Sequence, residues 1–223
     1  MKKEIYIHHH LGLGDHFVCN GIVRYVYSQY RCPIFLAVKH HNVPTVKDLY
    51  SDTNILLDPV SNDKEAISNY GKRDVLRVGF EKCDVKNWEK SFYEQCNLPY
   101  EARFSESKIT RNKEKEDNLF NSLKLPKKYA FCSNQCSAGN VEIDFKTKLP
   151  KVFLSKKTDS LMDWLKIIET ATEIHTIDSS VFQLIKNMQL DRKKFLYDIR
   201  SIVHRTPYSK ELDENWNIVT VSR

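Results

Sequence analysis

Short apolar runs alternate with amphipathic stretches along the whole chain. Runs rich in β-branched and aromatic residues predict buried strands, whereas apolar positions three and four apart predict helices that pack on one face. In the first half, this pattern predicts strands at residues 4–9, 33–39, 54–60 and 74–80 and helices at residues 16–30, 43–51, 63–71 and 84–97. Strands that alternate with helices at this spacing are typical of a parallel α/β sheet.

A polar, charged segment at residues 100–118 interrupts the pattern, which then starts again. In the second half we predict helices at residues 114–125, 159–171 and 179–188 and strands at residues 128–134, 150–155, 173–177, 193–199 and 216–222. The sequence therefore predicts an α/β protein with two domains of similar size, residues 1–112 and residues 113–223.

The composition is that of an ordinary globular protein, with 223 residues of which 41% are hydrophobic and 29% charged. No apolar run reaches the roughly 18 residues that a membrane span needs. The N-terminus lacks the long apolar stretch and small-residue cleavage site of a signal peptide, and the six cysteines form no paired C-x-x-C clusters. We therefore expect a cytoplasmic protein with reduced thiols.

The net charge of +6 arises from basic residues that are interleaved with acidic ones, as in the sequence TRNKEKEDN. This mixture is typical of a solvated helical surface rather than of a stripe that binds nucleic acid. We therefore expect no nucleic-acid partner, although a mild positive excess suits an anionic small molecule.

The first predicted strand runs into the glycine loop LGLGDHF. A dinucleotide-binding fingerprint needs a third glycine where this loop has Phe17. The carboxylate of Asp15 would also compete with a phosphate at the start of the following helix. The loop is therefore a poor phosphate site.

Two interpretations of Asp15 remain open from the residues alone. In the first, Asp15 is the N-cap of the helix, and Gly12 and Gly14 only allow a tight turn. In the second, Asp15 lies at the carboxyl edge of a parallel sheet, where such folds bind ligands, and takes a proton from a hydroxyl group.

The three consecutive histidines lie inside the strand, which argues against an expression tag. His8 and His10 point to one face of a strand and His9 to the other, so the three cannot share one metal ion. A zinc site of His8, His10 and His16 has no acidic or thiol partner in the pattern, and we expect no metal. The candidate substrate-binding residues of this region are His10, Gly12, Gly14, His16 and Asn20.

A second candidate site follows the strand EIHTI, where Asp178, Ser179 and Ser180 precede a helix. Two hydroxyls and the free N–H groups of that helix fit a phosphate, although capping by Asp178 or Ser179 explains the same residues. Other candidates to contact a phosphate are small polar residues of the loop SNQCSAGN and a lysine at the end of a strand: Ser133, Asn134, Ser137 and Lys156.

Together, these two stretches resemble the signatures of a known family. LGLGDHFVCNGIVRYV resembles the N-terminal signature of heptosyltransferase-like glycosyltransferases of the GT-B type, in which a Gly-Asp pair opens the first helix. SLMDWLKIIETATEIHTIDSSVFQLI resembles their donor-half signature, in which a strand ends in an Asp-Ser/Thr-Gly triplet. The resemblance implies two Rossmann-like halves whose parallel sheets face a cleft, an acceptor-side domain at 1–112 and a nucleotide-sugar-binding domain at 113–223.

The resemblance also implies roles for individual residues. Asp15 matches the aspartate that acts as the acceptor-side base, and Asp178, Ser179 and Ser180 match the triplet that meets the donor phosphates. Ser180 stands where heptosyltransferases have glycine, which leaves the identity of the donor open. Lys156 is assigned to the phosphates by its position only.

From this resemblance we expect a glycosyltransferase that moves a sugar from a nucleotide-sugar donor to a hydroxyl of a glycan or glycoconjugate. We expect no cofactor and no obligatory metal, because helix N–H groups, hydroxyls and cations stabilise the leaving diphosphate. Two alternatives stay open: a nucleotide-sugar epimerase or hydrolase of the same fold, and a non-catalytic module that binds nucleotides or glycans.

Overall fold

The computed structural model describes residues 3–199 and 216–221. The chain divides into two compact units, Met1–Thr110 and Arg111–Arg223. This division lies close to the boundary predicted between residues 112 and 113. The functional roles assigned to the two domains remain predictions.

The N-terminal unit contains a four-stranded, fully parallel sheet with the strand order β3-β2-β1-β4. Its strands are β1 (Ile5–His8), β2 (Ile34–Lys39), β3 (Leu56–Val60) and β4 (Asp74–Arg77). The chain builds the sheet outward from β1 to β3 and then crosses to place β4 on the other side of β1. The topological switch point, where such sheets bind their ligands, therefore lies between β1 and β4.

The α-helices described in this unit are α1 (Leu13–Val18), α2 (Asn20–Gln29), α3 (Val43–Leu49), α4 (Asp63–Ser68), α5 (Trp88–Glu94) and α6 (Ala102–Ser105). The predicted helix at 16–30 begins earlier, at Leu13, and is divided at Cys19. Gly12 is the N-cap residue of α1. Asp15 therefore lies within the first turn, and its interpretation as the N-cap is wrong.

Both faces of β1 are covered, as expected for a central parallel strand. One apolar cluster contains Val18, Ile22, Phe92 and Tyr93, and the Tyr93 hydroxyl donates to the Val18 carbonyl at 2.7 Å. A second cluster contains Tyr6, Leu11, Ala37, Val60 and Ala66. The segment predicted as a polar boundary at 100–118 contains α6, whose Ala102 and Arg103 are buried.

The C-terminal unit contains a five-stranded parallel sheet with the order β11-β10-β9-β5-β8. Its strands are β5 (Ala130–Ser133), β8 (Lys151–Phe153), β9 (Glu173–Ile177), β10 (Lys193–Asp198) and β11 (Trp216–Thr220). A small antiparallel hairpin, β6 (Gln135–Cys136) with β7 (Gly139–Asn140), follows β5. If the five strands of this sheet are numbered 1 to 5 along the chain, their order from β8 to β11 is 2-1-3-4-5, which is the flavodoxin-like order. The switch point of this order lies between β5 and β9.

Among the described residues of this unit, the α-helices are α7 (Lys113–Ser122), α8 (Leu165–Thr170) and α9 (Ser180–Met188). The predicted helix at 159–171 starts as a 3-10 turn at Leu161–Trp164, capped by the Ser160 side chain. Helix α9 buries Val181, Leu184 and Ile185, as the apolar pattern predicts. The final predicted strand is present at 216–220, and residue 222 lies outside the described residues.

The prediction of an α/β protein built from two Rossmann-like parallel sheets is confirmed. Among the described residues, no helix has the length and apolar character that crossing a membrane requires.

Candidate functional site

The loop that follows β1 lies at the switch point of the first sheet. The His8 carbonyl at the end of β1 accepts hydrogen bonds from the Val78 amide at 3.1 Å and from Nη1 of Arg77 at 3.2 Å. The carboxyl ends of β1 and β4 therefore lie side by side. The residues that leave β1 are in the position where parallel α/β sheets bind ligands.

His10 and Asp15 form a hydrogen-bonded pair in this loop. His10 Nδ1 lies 2.8 Å from Asp15 Oδ2, and because an ionised carboxylate only accepts, the Nδ1–H group is the donor. The His10 side chain is 49% exposed, whereas that of Asp15 is 11% exposed. The hydrogen bond to Asp15 raises the pKa of His10, against the opposing effect of burial. The loop thus presents an imidazole at its surface with a carboxylate behind it.

Gly12 makes room for this pair. A Cβ atom at position 12 would lie 2.5 Å from Asp15 Oδ2 and 3.7 Å from His10 Nδ1. The φ of Gly12 is −70°, a value that any residue adopts, so this position does not require the backbone freedom of glycine. Gly14 lies inside α1. Gly12 is needed for space rather than for backbone freedom.

His16 is in a different environment from His10. Its ring is fully buried and packs edge to face on His9, with ring centroids 4.3 Å apart. Neither of its ring nitrogens has a hydrogen-bond partner among the described residues, and burial holds its pKa well below the ordinary value. Because α1 starts at Leu13, His16 is turned into the core. Its position does not support the prediction that it contacts substrate.

Asn20 is also buried. Its Oδ1 accepts hydrogen bonds from the Ser107 hydroxyl at 2.7 Å and from the Lys108 amide at 2.8 Å. The side chain thus fixes the segment after α6 to the start of α2. This is a structural role within the N-terminal unit, and it does not support the prediction that Asn20 binds substrate.

Sequence reasoning did not single out the residues that β4 brings to the loop. The ring of Phe80 lies edge to face against His10, with centroids 5.0 Å apart. Arg77 contacts both the His8 carbonyl and Asp63, and Asp63 also bonds the buried His8 ring at 3.0 Å. Only the strand order, which places β4 beside β1, reveals these neighbours. Within the described part of the chain, no group of three or more His, Cys, Asp and Glu side chains fits a metal ion.

The second candidate site lies at the switch point of the second sheet. Ser133, the last residue of β5, is paired in register with Thr176 of β9, and Asp178 and Ser179 follow directly after β9. Ser133 is fully buried. Its hydroxyl and that of Ser179 are buried atoms without a hydrogen-bond partner among the described residues.

Ser179 is the N-cap residue of α9, with extended backbone, but its side chain makes no capping hydrogen bond. The N-cap position of Ser179 agrees with the capping interpretation, whereas its free hydroxyl does not. Ser180 is the first residue of the helix. Buried hydroxyls normally have a partner, so the orphan hydroxyl of Ser179 at the N-terminus of α9, with that of Ser133 at the end of the neighbouring strand, marks a position suited to an anionic ligand.

The remaining candidates of this unit lie around the same edge. Asn134 donates from Nδ2 to the Val141 carbonyl at 2.9 Å and so holds the hairpin. Ser137 is exposed at the hairpin turn, and Lys156 is exposed after β8. Strand pairing thus places Ser133 beside Thr176, two residues before Asp178, whereas Asn134 has a local structural partner.

Comparison with known proteins gives no match to a family model and no match among curated proteins. Solved structures do match. The ADP-heptose LPS heptosyltransferase II of E. coli aligns with a TM-score of 0.59 at 10% identity, over 97% of this chain and 90% of that chain. A family 9 glycosyl transferase from Veillonella parvula aligns with a TM-score of 0.58 at 10% identity, over 98% of this chain and 86% of that chain.

TibC, described as an iron-containing dodecameric glycosyltransferase of enterotoxigenic E. coli, aligns with a TM-score of 0.54 at 11% identity. The alignment covers 87% of this chain but only 58% of TibC. At these identities the likeness establishes the fold, which is that of the heptosyltransferase-like glycosyltransferases predicted from the two sequence signatures.

Proposed function

We propose that this chain, which has the fold of heptosyltransferase-like glycosyltransferases, transfers a sugar from a nucleotide-sugar to a hydroxyl acceptor on a glycan or glycoconjugate. The observation that carries this proposal is the location of the candidate residues. In each unit they lie at the switch point of a parallel sheet, the Asp15–His10 pair beside β4 and the orphan hydroxyls of Ser133 and Ser179 beside β5 and β9.

The C-terminal unit is the proposed donor side. A nucleoside diphosphate group offers several acceptor oxygens to hydroxyls and to the first N–H groups of α9. Ser133, Ser179 and Ser180 supply the hydroxyls, Asp178 completes the triplet, and Asn134, Ser137 and Lys156 are further candidates around the same edge. TibC in complex with ADP-D-beta-D-heptose supports a nucleotide-sugar as the class of donor.

The N-terminal unit is the proposed acceptor side. The acceptor oxygen attacks the anomeric carbon, the bond from that carbon to the diphosphate oxygen breaks, and the nucleoside diphosphate leaves with the bonding electrons. The acceptor loses its proton to the Asp15–His10 pair. Negative charge on the leaving group is stabilised by helix N–H groups and hydroxyls, so we propose no obligatory metal. We also propose a cytoplasmic location, because all six cysteines are free thiols.

The first experiment identifies the donor. Thermal unfolding is measured with uridine, guanosine, cytidine and adenosine diphosphates, since a ligand of the native state raises the melting temperature. The nucleotide-sugars of the nucleotide that binds are then assayed for transfer and for hydrolysis, with wild type, Asp15→Ala and the control His41→Ala, which alters an exposed histidine.

The proposal predicts turnover by wild type and His41→Ala, with retained nucleotide binding but no turnover by Asp15→Ala. Nucleotide binding without turnover of any nucleotide-sugar would instead indicate a binding module. Undiminished turnover by Asp15→Ala would remove Asp15 from the mechanism.

A further inference from the structure

Asp15 is not the outermost group of its loop. Its side chain is 11% exposed, and Oδ2 faces the backbone of Gly12. The same oxygen accepts the hydrogen bond from His10. An acceptor hydroxyl that approaches from solvent therefore meets the imidazole more readily than the carboxylate.

His10 has the geometry of a base that a carboxylate orients. Nδ1 carries the proton that Asp15 accepts, so the neutral ring has its lone pair on Nε2. In the described part of the chain, no hydrogen bond to Nε2 is present, and the side chain is 49% exposed. The Phe80 ring, edge to face at 5.0 Å, restricts the ring from one side.

We propose that His10 is the catalytic base of the transfer and that Asp15 is its positioning residue. As the acceptor oxygen forms its bond to the anomeric carbon, its proton passes to Nε2 of His10, and the diphosphate oxygen leaves with the electron pair. Asp15 holds the tautomer with Nδ1–H and stabilises the imidazolium that results. This assignment rests on the proposed function and specifies which atom of the N-terminal unit receives the proton.

The charges around His10 set the pH at which this base works. Asp15 and Asp63 raise its pKa, whereas Lys39 and burial lower it, and the net direction is upward from 6.5. Only the neutral ring accepts a proton, so turnover is lost as the pH falls through the raised pKa. Replacing Asp15 by asparagine removes the largest cause of the raised His10 pKa. The loss of turnover at acidic pH should therefore occur at a lower pH in this variant.

The kinetic test compares His10→Ala, His10→Gln, Asp15→Asn and the control His41→Ala in the wild-type reaction. We expect His10→Ala and His10→Gln to lower kcat by roughly 10²- to 10⁴-fold, the usual contribution of a general base, with unchanged nucleotide binding. Added imidazole should restore part of the activity of His10→Ala, where it can occupy the space of the ring. A merely structural role of His10 predicts no such rescue.

The outcomes separate this inference from the proposed function. Suppose that wild type turns over a nucleotide-sugar and that the kcat of His10→Ala stays within about twofold of the wild-type value. Asp15 or another group is then the base, so the inference about His10 fails while the proposed function stands. If wild type binds nucleotides and turns over none of their sugars, the proposed function fails and the role of His10 fails with it.

A spectroscopic test needs no substrate. Nitrogen-15 NMR of the histidine rings should show His10 as the Nδ1–H tautomer at high pH, with a pKa that decreases in Asp15→Asn and does not change in His41→Ala. A proton on Nε2 instead of Nδ1, or a His10 pKa that is the same in wild type and Asp15→Asn, would overturn the assignment of Asp15 as the positioning residue.

Discussion

The carboxylate of Asp15 lies directly against Gly12, with Oδ2 2.5 Å from the position of a Cβ atom on that glycine. In Gly12→Ala the added methyl group must therefore displace the carboxylate and disturb its hydrogen bond to His10. We expect kcat to fall by roughly 10²-fold, since a misplacement of about 1 Å in a catalytic arrangement costs this much. Steady-state kinetics measure the loss, and the melting temperature should change little because the backbone conformation suits alanine.

A double-mutant cycle provides the control. If Gly12→Ala acts only through Asp15, it adds little further loss to Asp15→Ala, because the two changes remove the same interaction. Additive losses would show that Gly12 has a separate role, such as close approach of the substrate to its backbone.

Gly21 in α2 is predicted to be essential for stability rather than for activity. A Cβ atom at this position would lie 2.3 Å from the backbone carbonyl oxygen of Ala102, and a backbone atom cannot rotate away. We expect Gly21→Ala to lower the free energy of unfolding of the N-terminal unit by about 1–3 kcal/mol, as overpacking does. Urea unfolding measures this, with Ser28→Ala on the exposed side of α2 as the control. An unchanged midpoint would show that α2 and α6 separate without cost.

The central strands could be predicted from the sequence because β1, β2, β5 and β9 are short apolar runs whose residues are largely buried. Residues 34–39, for example, form β2 within the predicted range 33–39. Parallel pairing then places every loop that follows a strand at one edge of its sheet. For this reason, the stretches that contain Asp15 and Asp178 could be identified as candidate sites before the structure was known.

The side-chain partners could not be predicted in the same way. The contact between His10 and Phe80 depends on the crossover that places β4 beside β1, which no local pattern specifies. His16 was misplaced because α1 begins at Leu13 instead of residue 16. A helix turns about 100° per residue, so an error of a few residues in its start changes which side chains face the core.

The buried pair of His9 and His16 predicts that the N-terminal unit loses stability in mild acid. Burial lowers the pKa of His9 from 6.5 to about 4 and that of His16 well below 6.5. The folded state therefore keeps both rings neutral while the unfolded state binds protons below pH 6.5. The stability that the neutral rings contribute is complete above that pH and decreases as the pH falls below it, for His9 down to a pH of about 4.

Urea unfolding of wild type and His16→Leu at a series of pH values measures this dependence. We expect a shallower pH dependence in His16→Leu, which lacks one of the two groups, and the wild-type dependence in His41→Ala, whose ring is exposed. His10, with its raised pKa, acts in the opposite direction: its contribution is present below pH 6.5 and is lost as the pH rises through its folded-state value. Equal slopes in wild type and His16→Leu would contradict the prediction.

The orphan hydroxyls of Ser133 and Ser179 predict a loss of affinity without a loss of stability. Neither hydroxyl has a hydrogen-bond partner among the described residues, so Ser133→Ala and Ser179→Ala remove no bond from the free protein, and their melting temperatures should equal or exceed that of wild type. A hydroxyl that bonds a charged phosphate contributes roughly 1.5–3 kcal/mol, so each variant should bind its nucleoside diphosphate roughly 10- to 150-fold more weakly. Calorimetric titration measures the affinity, with Ser122→Ala in α7, whose hydroxyl bonds the Leu119 carbonyl, as the control. Wild-type affinity in both variants would show that the donor phosphates do not bind at the β5–β9 switch point. A lower melting temperature with unchanged affinity would show that the two serines have a structural role instead.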